Sequence, residues 1–195
     1  ENNIFYFFII GDFYEHNYIR KTTIEYINEL FRTIPETKIF ITPGNHDPYL
    51  KNSMYYNFEW SENVKIFSSQ IERIETKEAD IYGVGFDNFY CSDLGIENIK
   101  IENNPISKNK LKEIGFDYVA LGHIHKLDYN TEENQRIVYP GSTISMGFDE
   151  LGPHGFITGN IEKETIQLSF IPIDSKEFKE AEIDISNLND IDELI

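Results

Sequence analysis

Seven consecutive apolar residues, Ile4-Phe5-Tyr6-Phe7-Phe8-Ile9-Ile10, run directly into Gly11-Asp12. The run is far below the ~18 residues that a membrane span needs. Continuous apolarity over the length of a strand, rich in β-formers, predicts a buried central strand. Such a strand has to be covered on both faces, so the chain must supply helices or further strands around it.

It supplies both. Apolar residues at Tyr18, Ile19, Ile24, Ile27, Leu30, Phe31 and Ile34 have helical spacing, and Pro35 ends the pattern. Lys38–Thr42 is a second short apolar strand, followed by Pro43-Gly44-Asn45-His46-Asp47. Strand, helix, strand predicts a βαβ unit and a parallel sheet, with ligands gathering outside the carboxyl ends of the strands. Further on, Tyr49–Phe58 reads as a short helix, and Val64–Phe67, Gln70–Thr76 and Ala79–Val84 as strands. Ser107–Ile114 reads as a helix with Ser107 as its N-cap. Phe116–Leu121 is then a buried strand running into Gly122-His123-Ile124-His125. Strands near Arg136–Tyr139, Gly155–Ile161 and Thr165–Pro172 complete the pattern, with one more expected over Phe178–Ile185. The acidic tail Asn187–Ile195 reads as the start of a helix.

The 195 residues suffice for one domain with a real core. An aromatic content of 14% excludes a disordered chain. The single cysteine, Cys91, cannot form an internal disulfide or a thiolate zinc site. Together with the absence of a leader-like start, this points to a reducing compartment, the cytoplasm. Seventeen basic residues against 34 acidic give a net charge of −17, which argues against a plain nucleic-acid coat. It is compatible with an enzyme that meets an anionic substrate through bound metal ions.

Three motifs each follow a strand: Gly11-Asp12, Gly44-Asn45-His46-Asp47 and Gly122-His123-Ile124-His125. Together they offer carboxylates, an amide and imidazoles, a mixture that suits Mn²⁺, Fe²⁺ or Zn²⁺. Glycine before each candidate ligand lets the backbone turn sharply off the strand. Alternation at a strand end would send His123 and His125 to one side.

On these motifs the chain resembles the calcineurin-like metallophosphoesterases. Ile41–Asp47, Ala120–Lys126, Tyr139-Pro140-Gly141-Ser142-Thr143 and Gly147-Phe148-Asp149-Glu150 resemble one branch more closely, the Mre11/SbcD-type DNA repair nucleases. The resemblance implies an α/β fold, a β-sandwich flanked by helices in αββα layers. It implies hydrolysis of DNA phosphodiesters, as exonuclease or endonuclease, with two divalent ions, Mn²⁺ being expected. Asp12 would bridge the metals, Asn45 and His123 would bind one, and His125 the other. His46 would orient the phosphate and protonate the leaving oxygen, with Asp47 holding its imidazole. Ser142 would lie beside the metals, either bonding phosphate or capping its turn. A homodimer and a Rad50/SbcC-like ATPase are the implied partners besides DNA, and no membrane is expected.

The pattern departs from the family twice. No Asp-x-His precedes Gly11-Asp12, and no histidine lies between Asp47 and His123. The expected domain is therefore 1–186, lacking its first strand and an internal segment near 101–105, with 187–195 as the start of a linker or cap. Two other functions stay open: a phosphoesterase on small substrates, and an inactive scaffold that binds DNA or a partner. His16 and His154 read as surface and turn residues, and Cys91 as an inert thiol. Trp60, Tyr55 and Tyr56 read as core aromatics rather than as base-stacking residues.

Overall fold

The structure, a computed structural model, describes residues 4–90, 108–129, 136–163, 165–173 and 178–182. β1 (Tyr6–Ile10), β2 (Lys38–Thr42) and β3 (Val64–Ile66) form an all-parallel sheet in the order β1-β2-β3. α1 (Lys21–Arg32) makes the crossover between β1 and β2, and the short α2 (Met54–Asn57) lies between β2 and β3. Ile9 is paired with Ile41 and Ile10 with Thr42, so the carboxyl ends of β1 and β2 are level. The Gly11 N–H then donates to the Thr42 carbonyl at 2.8 Å, and the two following loops start side by side.

α1 begins three residues later than its apolar pattern, because Tyr18 and Ile19 close a turn on the Glu15 carbonyl. Its inner stripe, Ile24, Asn28 and Phe31, is buried. Ile24 and Phe31 share one core with Ile39, Ile41, Tyr14 and Tyr55, and Trp60 packs against it. The buried Asn28 accepts the Ser61 N–H at 2.8 Å. Asn63 Nδ2 donates to the Phe31, Ile34 and Thr37 carbonyls, which satisfies the open end of the helix. The opposite face of the sheet is aromatic, with Phe8, Phe40 and Phe67 stacked in a row. The antiparallel hairpin β4 (Glu72–Glu75) and β5 (Asp80–Gly83) meets this face, where Gly83 lies flat on the Phe67 ring and leaves no room for a Cβ.

The central position falls to β2 rather than to β1. Ile39, Phe40 and Ile41 are buried, whereas Phe7 is 42% exposed. Among the described residues β1 has a hydrogen-bonded neighbour on one side only, so its apolar run marks strand propensity and packing, through Phe8 on one face and Ile9 on the other, rather than a central place in the sheet.

The second half is built from smaller pieces. α3 (Lys108–Ile114) precedes β6 (Val119–Ala120), which pairs in parallel with β7 (Ile137–Val138). Leu111, Leu121 and Ile137 form a small separate core. β8 (Gly155–Ile161) and β9 (Ile166–Pro172) form an antiparallel hairpin. The architecture is mixed α/β with several sheets, as the resemblance implied. Over 178–182 there is a single bridge, Phe178 to Leu151, in place of the expected strand, and residues 183–185 of that expectation fall outside the described ones. Also outside are the Ser107 cap, Cys91, the segment near 101–105 and the region 187–195.

Candidate functional site

Three loops, after β1, β2 and β6, converge. A Cβ on Gly44 would lie 2.2 Å from Asp12 Oδ1, and a Cβ on Gly122 would lie 2.1 Å from the Ile10 carbonyl oxygen. These two glycines are needed because the loops touch. Of the three motif glycines, Gly11, Gly44 and Gly122, Gly11 alone uses a left-handed conformation, at φ +75°. The strain falls instead on two candidate ligands, Asp12 at φ +52° and His123 at φ +72°. Left-handed backbone in non-glycine residues costs on the order of 1 kcal/mol and gathers where function over-determines it.

Asp47 holds the first of these conformations. Its buried carboxylate accepts the N–H groups of Asp12 (3.0 Å), Phe13 (2.6 Å), Tyr14 (3.3 Å) and Gly44 (2.7 Å), and the Tyr55 hydroxyl at 2.5 Å. Three successive N–H groups wrapped on one anion form a nest. Burial pushes the Asp47 carboxyl above its ordinary value, against the pull of the Tyr55 hydroxyl and the Gly44 and Phe13 N–H groups. Asp47 was expected to hold the His46 imidazole. It organises the loop backbone instead, and the His46 ring is gripped by Glu15, whose Oε2 lies 2.8 Å from Nδ1. That contact raises the His46 pKa; partial burial opposes it, and the charges of Asp12, Glu15 and Asp47 add to it.

The loops join the remaining candidates in two pairs. Asn45 Oδ1 lies 2.8 Å from His123 Nδ1. Asp12 Oδ1 accepts the His46 backbone N–H at 3.0 Å, while Oδ2 lies 3.9 Å from His125 Nε2. His125 Nδ1 is hydrogen-bonded to Glu150 Oε1. A carboxylate only accepts, so Nδ1 carries a proton, and Nε2 is the ring nitrogen that faces Asp12. Asp12 Oδ2 and His125 Nε2 face each other at a distance too long for a direct hydrogen bond. The donor chemistry fits a divalent cation. Among the described residues no three His, Cys, Asp or Glu side chains yet converge on one point. His123 and His125 lie beyond β6, so strand alternation does not orient them; each is turned by its own partner.

Comparison with known proteins gives the family. The pattern of calcineurin-like phosphoesterases matches residues 1–127. The chain belongs to that family. It is also 25% identical over 184 residues to an uncharacterized metallophosphoesterase, YhaO, of Bacillus subtilis. That match covers 80% of this chain but 45% of the relative, so the chain spans less than half the length of YhaO. No solved structure matches. Members of this family are phosphoesterases that typically use divalent metal ions. No helix among the described residues is long and apolar enough to cross a membrane.

Residues beyond 127 form a polar loop beside His125. The Ser142 N–H donates to the His125 carbonyl at 2.9 Å. The Ser142 hydroxyl lies 2.8 Å from His154 Nδ1, and His154 Nε2 donates to the Glu150 carbonyl at 3.2 Å. His154 Nδ1 also lies 3.2 Å from the Ser142 carbonyl oxygen. The Ser142 hydroxyl and carbonyl thus both meet the His154 ring, which closes the turn. His154, read as a plain turn residue, is buried and ties the two ends of the loop together. His16 is no free surface residue either: its N–H donates to the His46 carbonyl at 3.0 Å, and its ring meets Phe89 edge-on.

Glu15 and Glu150 are the residues that sequence reasoning missed. Glu150 stood in a quoted motif without a role, and Glu15 is one of 34 acidic residues. Burial alone would raise the Glu150 carboxyl; the Met146 N–H (2.8 Å) and the His125 ring outweigh it and hold it below its ordinary value.

Proposed function

We propose that this phosphoesterase cleaves DNA phosphodiesters, as the nuclease domain of an SbcD-type repair enzyme. The observation that supports the metal-dependent reading is the facing of Asp12 Oδ2 and His125 Nε2 across 3.9 Å. Asp12 and His125 would hold one cation, and Asp12, Asn45 and His123 a second, Mn²⁺ being the expected ion. Bound divalent ions supply charge that neutralises phosphate and acidity that turns water into a nucleophile. The chain's own residues do the rest. The Asp47 nest fixes Asp12 and its loop. Glu15 orients the His46 ring through Nδ1, which leaves Nε2 to donate a proton to the departing oxygen, a contribution of about 10²–10⁴-fold. The branch assignment rests on Tyr139–Thr143 and Gly147–Glu150. A homodimer and an SbcC-like ATPase subunit, in the cytoplasm, belong to the same reading.

One observation favours a small phosphate ester instead: a net charge of −17 repels an extended polyanion. Rates on labelled duplex DNA and on nitrophenyl phosphate, with Mn²⁺ present, separate the two. Cleavage of DNA that vanishes in Asp12→Asn supports the nuclease. Turnover of nitrophenyl phosphate alone supports the small-substrate enzyme. No turnover of either, with DNA binding untouched by Asp12→Asn, would identify a scaffold.

A further inference from the structure

Glu150 lies beyond the residues that the family pattern covers, and its surroundings are built. Its side chain is 11% exposed in an otherwise acidic, solvated protein. One carboxylate oxygen takes the His125 ring and the other takes the Met146 N–H at 2.8 Å. Its own carbonyl is held by Ser145 Oγ at 2.7 Å and by His154 Nε2 at 3.2 Å. His125 is therefore gripped twice by one loop, at its ring by Glu150 and at its carbonyl by the Ser142 N–H. His154 locks that loop by bonding Ser142 and the Glu150 carbonyl together.

We propose that Glu150 is a positioning residue for His125: it fixes the Nδ1–H tautomer and the ring plane, so that Nε2 faces Asp12 as a metal donor. This rests on the reading of His125 as a metal ligand. The physical reason is that a histidine presents a lone pair at one nitrogen only while the other keeps its proton, and a buried acceptor decides which. Outer partners of this kind typically change metal affinity by about 10–100-fold. Glu150 needs no contact with substrate to do so.

The test is Mn²⁺ binding by calorimetry on the full chain for wild type, Glu150→Ala, Glu150→Gln and His125→Ala, with the melting temperature of each. We expect Glu150→Ala to weaken Mn²⁺ about 10–100-fold. Glu150→Gln should fall between it and wild type, because an amide oxygen still accepts from Nδ1–H. Affinity within twofold of wild type in Glu150→Ala, with His125→Ala clearly weakened, overturns the positioning role and leaves the ligand reading intact. Unchanged affinity in His125→Ala overturns the ligand reading itself. A measurement on the wild type covers the case in which Glu150→Ala does not fold. Long-range ¹H–¹⁵N spectra of the histidine rings, assigned with His125→Ala, should show His125 as the Nδ1–H tautomer without metal, and the Nε2–H tautomer there would overturn the proposal.

Discussion

Residues 4–90 and residues 108–182 hold their share of the site by different means. The first region has a three-stranded parallel sheet, a twelve-residue helix and a core of six buried side chains with ten more packed around it. Its loops are fixed through their backbones, by N–H groups converging on the buried Asp47. The second region has two-residue strands next to the site and a core of three buried side chains. Its candidate ligand His125 is held at the ring by the Glu150 side chain and at the carbonyl by the Ser142 N–H, in a loop tied by His154. A thick core can carry a strained backbone; where the core is thin, a polar network does the orienting. Stability and activity should therefore be coupled in the first region and separable in the second.

The largest effect is expected from Asp47→Ala. It strands three or four poorly hydrated N–H groups and the Tyr55 hydroxyl, and should lower stability by about 3 kcal/mol or more. Urea unfolding measures it, and a loss under about 1 kcal/mol would mean that the nest does not hold the loop. Gly44→Ala comes next. Its Cβ would sit 2.4 Å from the Asp12 backbone nitrogen as well as against the carboxylate, so Asp12 must move. A displacement near 1 Å should lower phosphodiester hydrolysis about 10²-fold. Steady-state rates beside a melting curve show whether the Asp12 position is as critical as the geometry demands.

His154→Ala is the matching probe in the second region. It should reduce activity about tenfold through the Glu150 loop. It should reduce stability by only about 1–2 kcal/mol, since the first core is untouched. A global loss of folding would erase the contrast between the regions.

The smallest effect concerns a surface pair far from the site. Burial pushes the Glu72 carboxyl up, but Lys65 at 2.6 Å and the Ser68 N–H outweigh it and lower its pKa. A lowered carboxyl contributes stability that is complete above the ordinary glutamate range and is lost as pH falls through the lowered value. Lys65→Met should remove part of that acid-side loss, a few tenths of a kcal/mol for a pair this exposed. Melting temperatures from pH 6 down to pH 3 would show the two curves closing together as the pH drops.

Strand and helix order was legible almost throughout, because periodicity and Gly/Pro punctuation are local signals. The roles of β1 and β2 were not, since both runs are apolar and only pairing shows which strand has two neighbours. The candidate site was legible as a set of residue types after strands, Asp12, Asn45, His46, His123 and His125. The second tier was illegible. Asp47 looked like a partner of His46, its neighbour in sequence, yet it bonds residues 33 to 35 positions away. Glu15 and Glu150 carry no local mark that separates them from solvated glutamates.

By itself, then, the sequence determined most of the elements, the family and the candidate donors, because these follow from residue type and spacing along the chain. Only the tertiary structure decided which carboxylate steadies which group. It set Asp47 against the backbone of its loop, Glu15 against His46 and Glu150 against His125. Those pairings depend on where separate loops meet in space. Short-range hydrogen bonds act only after the packing of β1, β2 and β6 has brought the partners within 3 Å or so.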